Sequence, residues 1–238
     1  MTTRTLVSIL PAATTLIAFV FAFLVLRRWR NGRKPHSLFW GIGLLFFGGG
    51  AAMEMLHAIA GWNPLVFRLW YLFGAFFAAA WLGLGTAFLL MRRRRAWVLF
   101  AVLLAGSLFA AWRVFSAQLD PSQMLGGEMS GHAIVTPGVR ILTPFFNLFG
   151  TILLVGGAIY SSWLFWRKRV LLNRVVGNIL IAAGALFPAF GGVFQRAGIP
   201  ALLYLSELLG VIVMFVGFQY ALGERRPASA APEGLQNL

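Results

Sequence analysis

Apolar residues run through this chain in long windows, without the strict alternation of a half-buried strand or the polar face of a surface helix. About 20 such residues in helical form cross the hydrocarbon core of a bilayer. Seven windows of that length are legible, at about 6–26, 37–60, 65–91, 96–115, 140–166, 170–195 and 199–222. The pattern predicts an all-α fold, a polytopic bundle of seven transmembrane helices. Residues 1–222 form the membrane domain, and the tail 223–238, with Pro227, Pro232 and small polar residues, reads as a flexible cytoplasmic extension.

Polar residues collect between the windows, and their signs set the orientation. Arg27, Arg28, Arg30, Arg33 and Lys34 fall in one connection, Arg92 to Arg95 in the third, Arg167, Lys168, Arg169 and Arg174 in the fifth, and Arg225 and Arg226 after the last helix. Those alternate connections hold 15 basic residues, against Arg4, Arg68, Arg113, Arg140 and Arg196 on the other side. Basic loops stay cytoplasmic, so the N-terminus is expected outside and the C-terminus inside. The first window has a single arginine before it and a cluster after it, the reverse of a cleavable signal, and is expected to be a retained helix.

One connection is long, the outer loop 116–138, with Asp120-Pro121, Gly126-Gly127 and Pro137-Gly138 as turn chemistry. Loops of this length are more often functional or flexible than plain connectors. Seven helices also admit a three-plus-one-plus-three plan with parallel repeats. The only echo, Leu69-Trp-Tyr-Leu72 against Leu202-Leu-Tyr-Leu205, is too short to carry a repeat.

Composition narrows the function classes. The chain of 238 residues is 60% hydrophobic and 11% charged, with 23 Phe and 9 Trp, outside the range of a soluble domain. Its net charge of +14 would suggest nucleic acid in a soluble chain. Here the basic clusters flank membrane spans, so the expected partner is the anionic headgroup layer of the cytoplasmic leaflet of a plasma (inner) membrane, and no nucleic acid. With no cysteine, thiolate metal sites and covalent haem attachment are excluded.

Candidate chemistry lies in the few ionisable residues inside the spans. Such groups cost roughly 2.5–3.5 kcal/mol to insert at the bilayer centre, which makes each a site candidate. Glu54 precedes the outer end of its helix, at Gly61, by seven residues, and Glu207 follows the outer start of the last, at Ile199, by eight. At 1.5 Å per residue both sit about 10–12 Å below the outer interface. Asn147, Tyr71, Thr14 and Thr15 share that level, with His57, Arg68, Arg113, Arg140 and Tyr204 nearer the surface. Gly50, Glu54, His57 and Gly61 form one stripe, Arg140, Thr143, Asn147, Gly150 and Thr151 another, and Leu203, Glu207, Gly210 and Met214 a third. Small residues in these stripes mark them as helix-facing.

These positions define the expected site: Glu54, His57, Arg140, Asn147, Tyr204 and Glu207 around an outward-facing polar pocket for a small polar ligand or cation, in a sensor or transporter. Glu54 and Glu207 would supply charge, His57 a group that titrates near neutrality, and Arg140 a counter-ion or anion anchor. A structural ion-pair role for the same residues stands beside this reading. For Arg68, Arg113 and Arg196 snorkelling to headgroups is the simpler expectation. His132 is expected to be solvated.

Glu54 and His57 have the Glu-x-x-His spacing of di-metal carboxylate bundles, but the second motif those need is missing. No cofactor is expected. Catalysis is disfavoured, as no nucleophile, base and oxyanion-donor set stands at motif spacing. The topology is similar to that of microbial rhodopsins, but retinal needs a lysine in the last helix, and only Lys34 and Lys168 exist, both on inner connections. It is also similar to the membrane sensor regions that precede bacterial histidine kinases, in topology alone. The alternative function is a non-catalytic accessory or scaffold subunit of a larger complex with other membrane subunits.

Overall fold

The computed structural model describes residues 3–124, 129–168, 172–196 and 200–222. Regular structure among them is helical apart from one isolated bridge between Leu119 and Ile134. Seven helices are long and apolar enough to cross a membrane. They are α1 (Thr3–Gly32), α2 (Pro35–Ala60), α3 (Pro64–Leu90), α4 (Arg93–Phe115), α5 (Leu142–Arg167), α6 (Leu172–Arg196) and α7 (Pro200–Leu222). The tail 223–238, expected to be flexible, lies outside the described residues.

Local chemistry sets the ends. Pro35 and Pro64 stand in the first turns of α2 and α3, where a missing N–H costs nothing. The Asn63 side chain caps α3 by accepting from the N–H groups of Leu65 and Val66 at 2.9 and 3.1 Å. Gly61 closes α2 with φ 77° and donates its N–H to the His57 carbonyl, a conformation that suits glycine. Helix α1 runs through Arg27–Arg30 to Gly32, beyond the apolar window, because an arginine stem continues a helix readily once its head reaches water.

Six helices close a ring. α1 packs on α2, α2 on α3, α3 on α5, α5 on α6, α6 on α7, and α7 back on α1. α4 packs on the outside of this ring, against α3. The order is three, one, three, as the repeat plan allows, yet the halves differ: α3 contains a π turn over Tyr71–Phe77 and α7 is continuous. α3 is the central helix, with 67% of its apolar window buried against 22–44% for the others. An aromatic ladder runs along it through Phe67, Tyr71, Phe76, Phe77, Trp81 and Phe88.

Lipid tails are as apolar as leucine, so close helix contact rests on small residues. The Gly48–Gly50 run is where α2 passes between two neighbours. A Cβ at Gly48 would lie 2.9 Å from the Phe19 ring of α1, and one at Gly50 would lie 3.1 Å from the Gly74 backbone in the π turn. Between α6 and α7, Gly177 faces Gly217 and Gly184 faces Gly210, backbone against backbone. Gly177, Gly184 and Gly191 recur every seven residues, the period that keeps one seam against a partner helix. Pro188 packs on Gly210, and Pro144 falls in the first turn of α5, where no break is needed.

The clusters at Arg27–Lys34, Arg92–Arg95, Arg167–Lys168 and Arg174 are all exposed at one end of the bundle. Several rest on aromatic faces, Arg33 over Trp29 at 5.2 Å and Arg167 over Trp163 at 5.4 Å.

Candidate functional site

Glu54 is 5% exposed on the inner face of α2. The α2–α3 hairpin turns at Trp62, and residues equally far from the turn come opposite one another. Trp70 is therefore set beside Glu54, and its indole N–H donates to Glu54 Oε1 at 2.9 Å. From beyond α1, Glu207 of α7 brings its carboxyl close to that of Glu54, near enough for the two groups to interact directly. α1 separates α2 from α7 around the ring, so this contact crosses the interior.

A second polar group adjoins the first through the peptide between Trp70 and Tyr71, whose rings lie 5.9 Å apart. The Tyr71 hydroxyl and Thr143 Oγ1 are 2.8 Å apart. Asn147 Nδ2 donates to the Ala75 carbonyl at 2.9 Å and to the Thr143 carbonyl at 3.0 Å. Ala75 lies in the π turn, where the i→i+5 pattern perturbs the normal hydrogen-bond ladder, so Asn147 supports the irregular backbone.

The other expected residues take different places. Tyr204 is buried at 3%, one turn before Glu207. His57 is half-buried at the end of α2, with Nδ1 3.2 Å from the Gly61 carbonyl oxygen. Arg140 is exposed just before α5, within electrostatic range of the Tyr71 phenol. Thr14 and Thr15 return their hydroxyls to the Leu10 and Pro11 carbonyls of their own helix.

Arg68 and Arg113 do not simply reach for headgroups. Arg68 Nε donates to Val114 O at 3.3 Å and Nη2 to Ala117 O at 3.1 Å, tying α3 to the chain where α4 ends. Arg113 Nη2 donates to Pro137 O at 2.8 Å. The side chain of Arg196 lies outside the described residues.

These arginines also anchor the long loop. Its two arms pair through Asp120 N–H to Ala133 O at 2.8 Å and Val135 N–H to Gln118 O at 3.1 Å. Met129, Ala133, Ile134 and Val139 are buried in the cluster around Phe67 and Tyr71, and Gly131 lies against the Tyr71 ring. The described part of the loop is thus a cover over this end of α3. His132 is exposed on it. The Asp120 carboxylate, outside the membrane spans, is held below the usual carboxylate range by hydrogen bonds from the Ser122 hydroxyl and N–H.

Trp70 and Thr143 carry polar contacts that were not assigned roles from sequence. The hairpin symmetry about Trp62 was available as a signal for Trp70; nothing comparable marks the Tyr71–Thr143 pair. Among the described residues no three His, Cys, Asp or Glu side chains converge as a metal set. Compared with known proteins, the chain matches no family model, no curated protein and no solved structure.

Proposed function

We propose that this is a plasma (inner) membrane protein, N-terminus outside, that binds a small cation or proton at Glu54 and Glu207 and acts as its sensor or transporter. The observation that carries this reading is the contact of two carboxyl groups across the interior of the helix ring. Two like charges in contact in a poorly solvated space repel, and a proton or a cation between them removes the conflict. Trp70 orients one carboxyl by its N–H, and the Tyr71–Thr143–Asn147 group continues the polar layer toward α5. With the arginine-rich end cytoplasmic, the pair lies in the outer half of the bundle.

Thermal unfolding of the purified protein tests this, with sodium, lithium or potassium replacing choline at constant ionic strength and at several pH values. A ligand that binds the folded state alone stabilises it by about 2.7 kcal/mol at 100 times its Kd. At least one cation, or the proton, should raise Tm in wild type, and the Glu54→Gln/Glu207→Gln double variant should lose that shift. An undiminished shift in a folded double variant would overturn the reading, as would a wild type indifferent to every cation and to pH.

A further inference from the structure

Only Met91 and Arg92 separate α3 from α4, so Arg92 to Arg95 stand in one row across the start of α4. Residues four apart stack on one face of a helix, which sets Arg94 above Val98 and Arg95 above Leu99. Together with Met91, these four side chains line an open groove of about 510 Å3 at the arginine-rich end of the bundle. The guanidinium groups form its rim. Val98 and Leu99 follow about 6 Å deeper into the span and form an apolar floor. The groove lies on the flank of the helix that packs outside the ring, and Val98 is 58% exposed there.

The arginines of this rim differ from those of the other clusters. Arg33 lies over Trp29, Arg167 over Trp163, and Arg174 over Phe165 at 5.6 Å. Arg94 and Arg95 are exposed and have no ring, carboxylate or hydrogen-bond partner among the described residues. Internal acids are too far away to supply one. Those described are Glu54, Asp120 and Glu207, all toward the opposite end. The first turn of α4 has no acidic residue, and Arg92 and Arg95 stand at a like-charge spacing that works against the helix. An anion from outside would relieve this repulsion.

A planar guanidinium matches a phosphate with two parallel N–H groups, and the apolar floor below matches an acyl chain. Basic pockets beside transmembrane helices on the cytoplasmic side take anionic headgroups in this way. We infer that the groove is a discrete site for one anionic phospholipid, with its phosphate on Arg94 and Arg95 and the upper part of an acyl chain against Met91, Val98 and Leu99. A zwitterionic lipid would bring its own cation to the same rim, and a free phosphate would leave the floor uncovered. This site does not depend on the cation reading of Glu54 and Glu207.

Native mass spectrometry of the full chain in detergent micelles tests it, with phosphatidylglycerol titrated against phosphatidylcholine of the same acyl chains. Phosphatidylglycerol should give a saturable one-lipid adduct, bound roughly tenfold more tightly than phosphatidylcholine. Arg94→Gln/Arg95→Gln should lose most of that preference. Arg27→Gln/Arg28→Gln, which removes the same charge at the same end, should keep it. Equal losses in the two variants, an undiminished preference in Arg94→Gln/Arg95→Gln or no preference in wild type would overturn the inference. Excess glycerol 1-phosphate should leave the lipid bound; full displacement would make a free phosphate ester the ligand and overturn the lipid site. Should Arg94→Gln/Arg95→Gln not fold, the wild type in nanodiscs decides, using phosphatidylglycerol with a diazirine high in its acyl chain beside the matching phosphatidylcholine probe. Labels on Met91, Val98 and Leu99 at least threefold above those from phosphatidylcholine support the site, and equal labels overturn it.

Discussion

The indole N–H of Trp70 donates to Glu54 Oε1 at 2.9 Å, across a hairpin whose turn is only the short 61–63 segment. The bond ties a buried carboxyl to the most buried helix of the bundle. Removing the donor while keeping an aromatic ring isolates it. Trp70→Phe should cost about 1–3 kcal/mol if the carboxyl is left without that donor. Glu54→Gln keeps an acceptor at the same place, so a thermal-unfolding cycle of Trp70→Phe with Glu54→Ala, not with Glu54→Gln, should return a coupling well above the ~0.6 kcal/mol typical between membrane helices. A coupling near zero would show that the bond does nothing for stability.

Asn147 supports the Ala75 carbonyl in the π turn. Asn147→Ala should lower stability by about 1 kcal/mol and speed amide exchange across residues 71–77, because the carbonyl would lose a donor in a dry site. Hydrogen exchange by mass spectrometry reads both the position and the extent. Unchanged protection over Tyr71–Phe77 would mean that the π turn holds without Asn147.

Two glycines to alanine make a direct comparison. A Cβ at Gly184 would lie 2.7 Å from Gly210 O and from Met214 N, both backbone atoms that cannot step aside, whereas a Cβ at Gly156 would meet nothing within 4 Å. Gly184→Ala should destabilise by about 1–3 kcal/mol, as overpacking does. Gly156→Ala should be neutral or stabilising by up to ~1 kcal/mol through helix propensity. Melting temperatures of the two variants check the contrast, and equal shifts would refute the α6–α7 contact as drawn.

Asp120 caps the turn at Pro121–Gln123 through Ser122, and these bonds hold its carboxylate below the usual range. A depressed folded-state pKa means that the contribution is complete above the ordinary value of 3.8 and fades as pH falls through the lower folded value. Asp120→Ala should therefore speed amide exchange at Ser122 near neutral pH. The difference from wild type should shrink only below about pH 4, which is where an ordinary aspartate begins to take up its proton.

Some of the site was legible as depth and some was not. Counting 1.5 Å per residue from the outer ends placed Glu54 and Glu207 at one level, and the two carboxyls meet there. The same count put Asn147 and Arg140 nearby, yet Asn147 turns to the Ala75 carbonyl and Arg140 lies exposed. Depth depends on rise along a single helix. Direction depends on which neighbour each face meets, and a helix that is apolar all round carries little of that information. The glycine seam of α6 is an exception, since a seven-residue spacing names a face by itself.

What the chain settles alone is what the bilayer tests one helix at a time: seven spans of sufficient length, charged residues grouped between them, Pro and Asn at the helix starts, one long connection with turn residues. Each follows from dehydrating a single segment, so no partner is needed to read it. The tertiary structure decided the rest. The closed ring with α4 outside, the π turn that Asn147 supports and the meeting of Glu54 with Glu207 all depend on relative rotation and register. Lipid and protein interior are nearly equivalent solvents for a leucine, so hydropathy cannot choose among rotations. Close backbone contact and the few polar groups that must find one another make that choice.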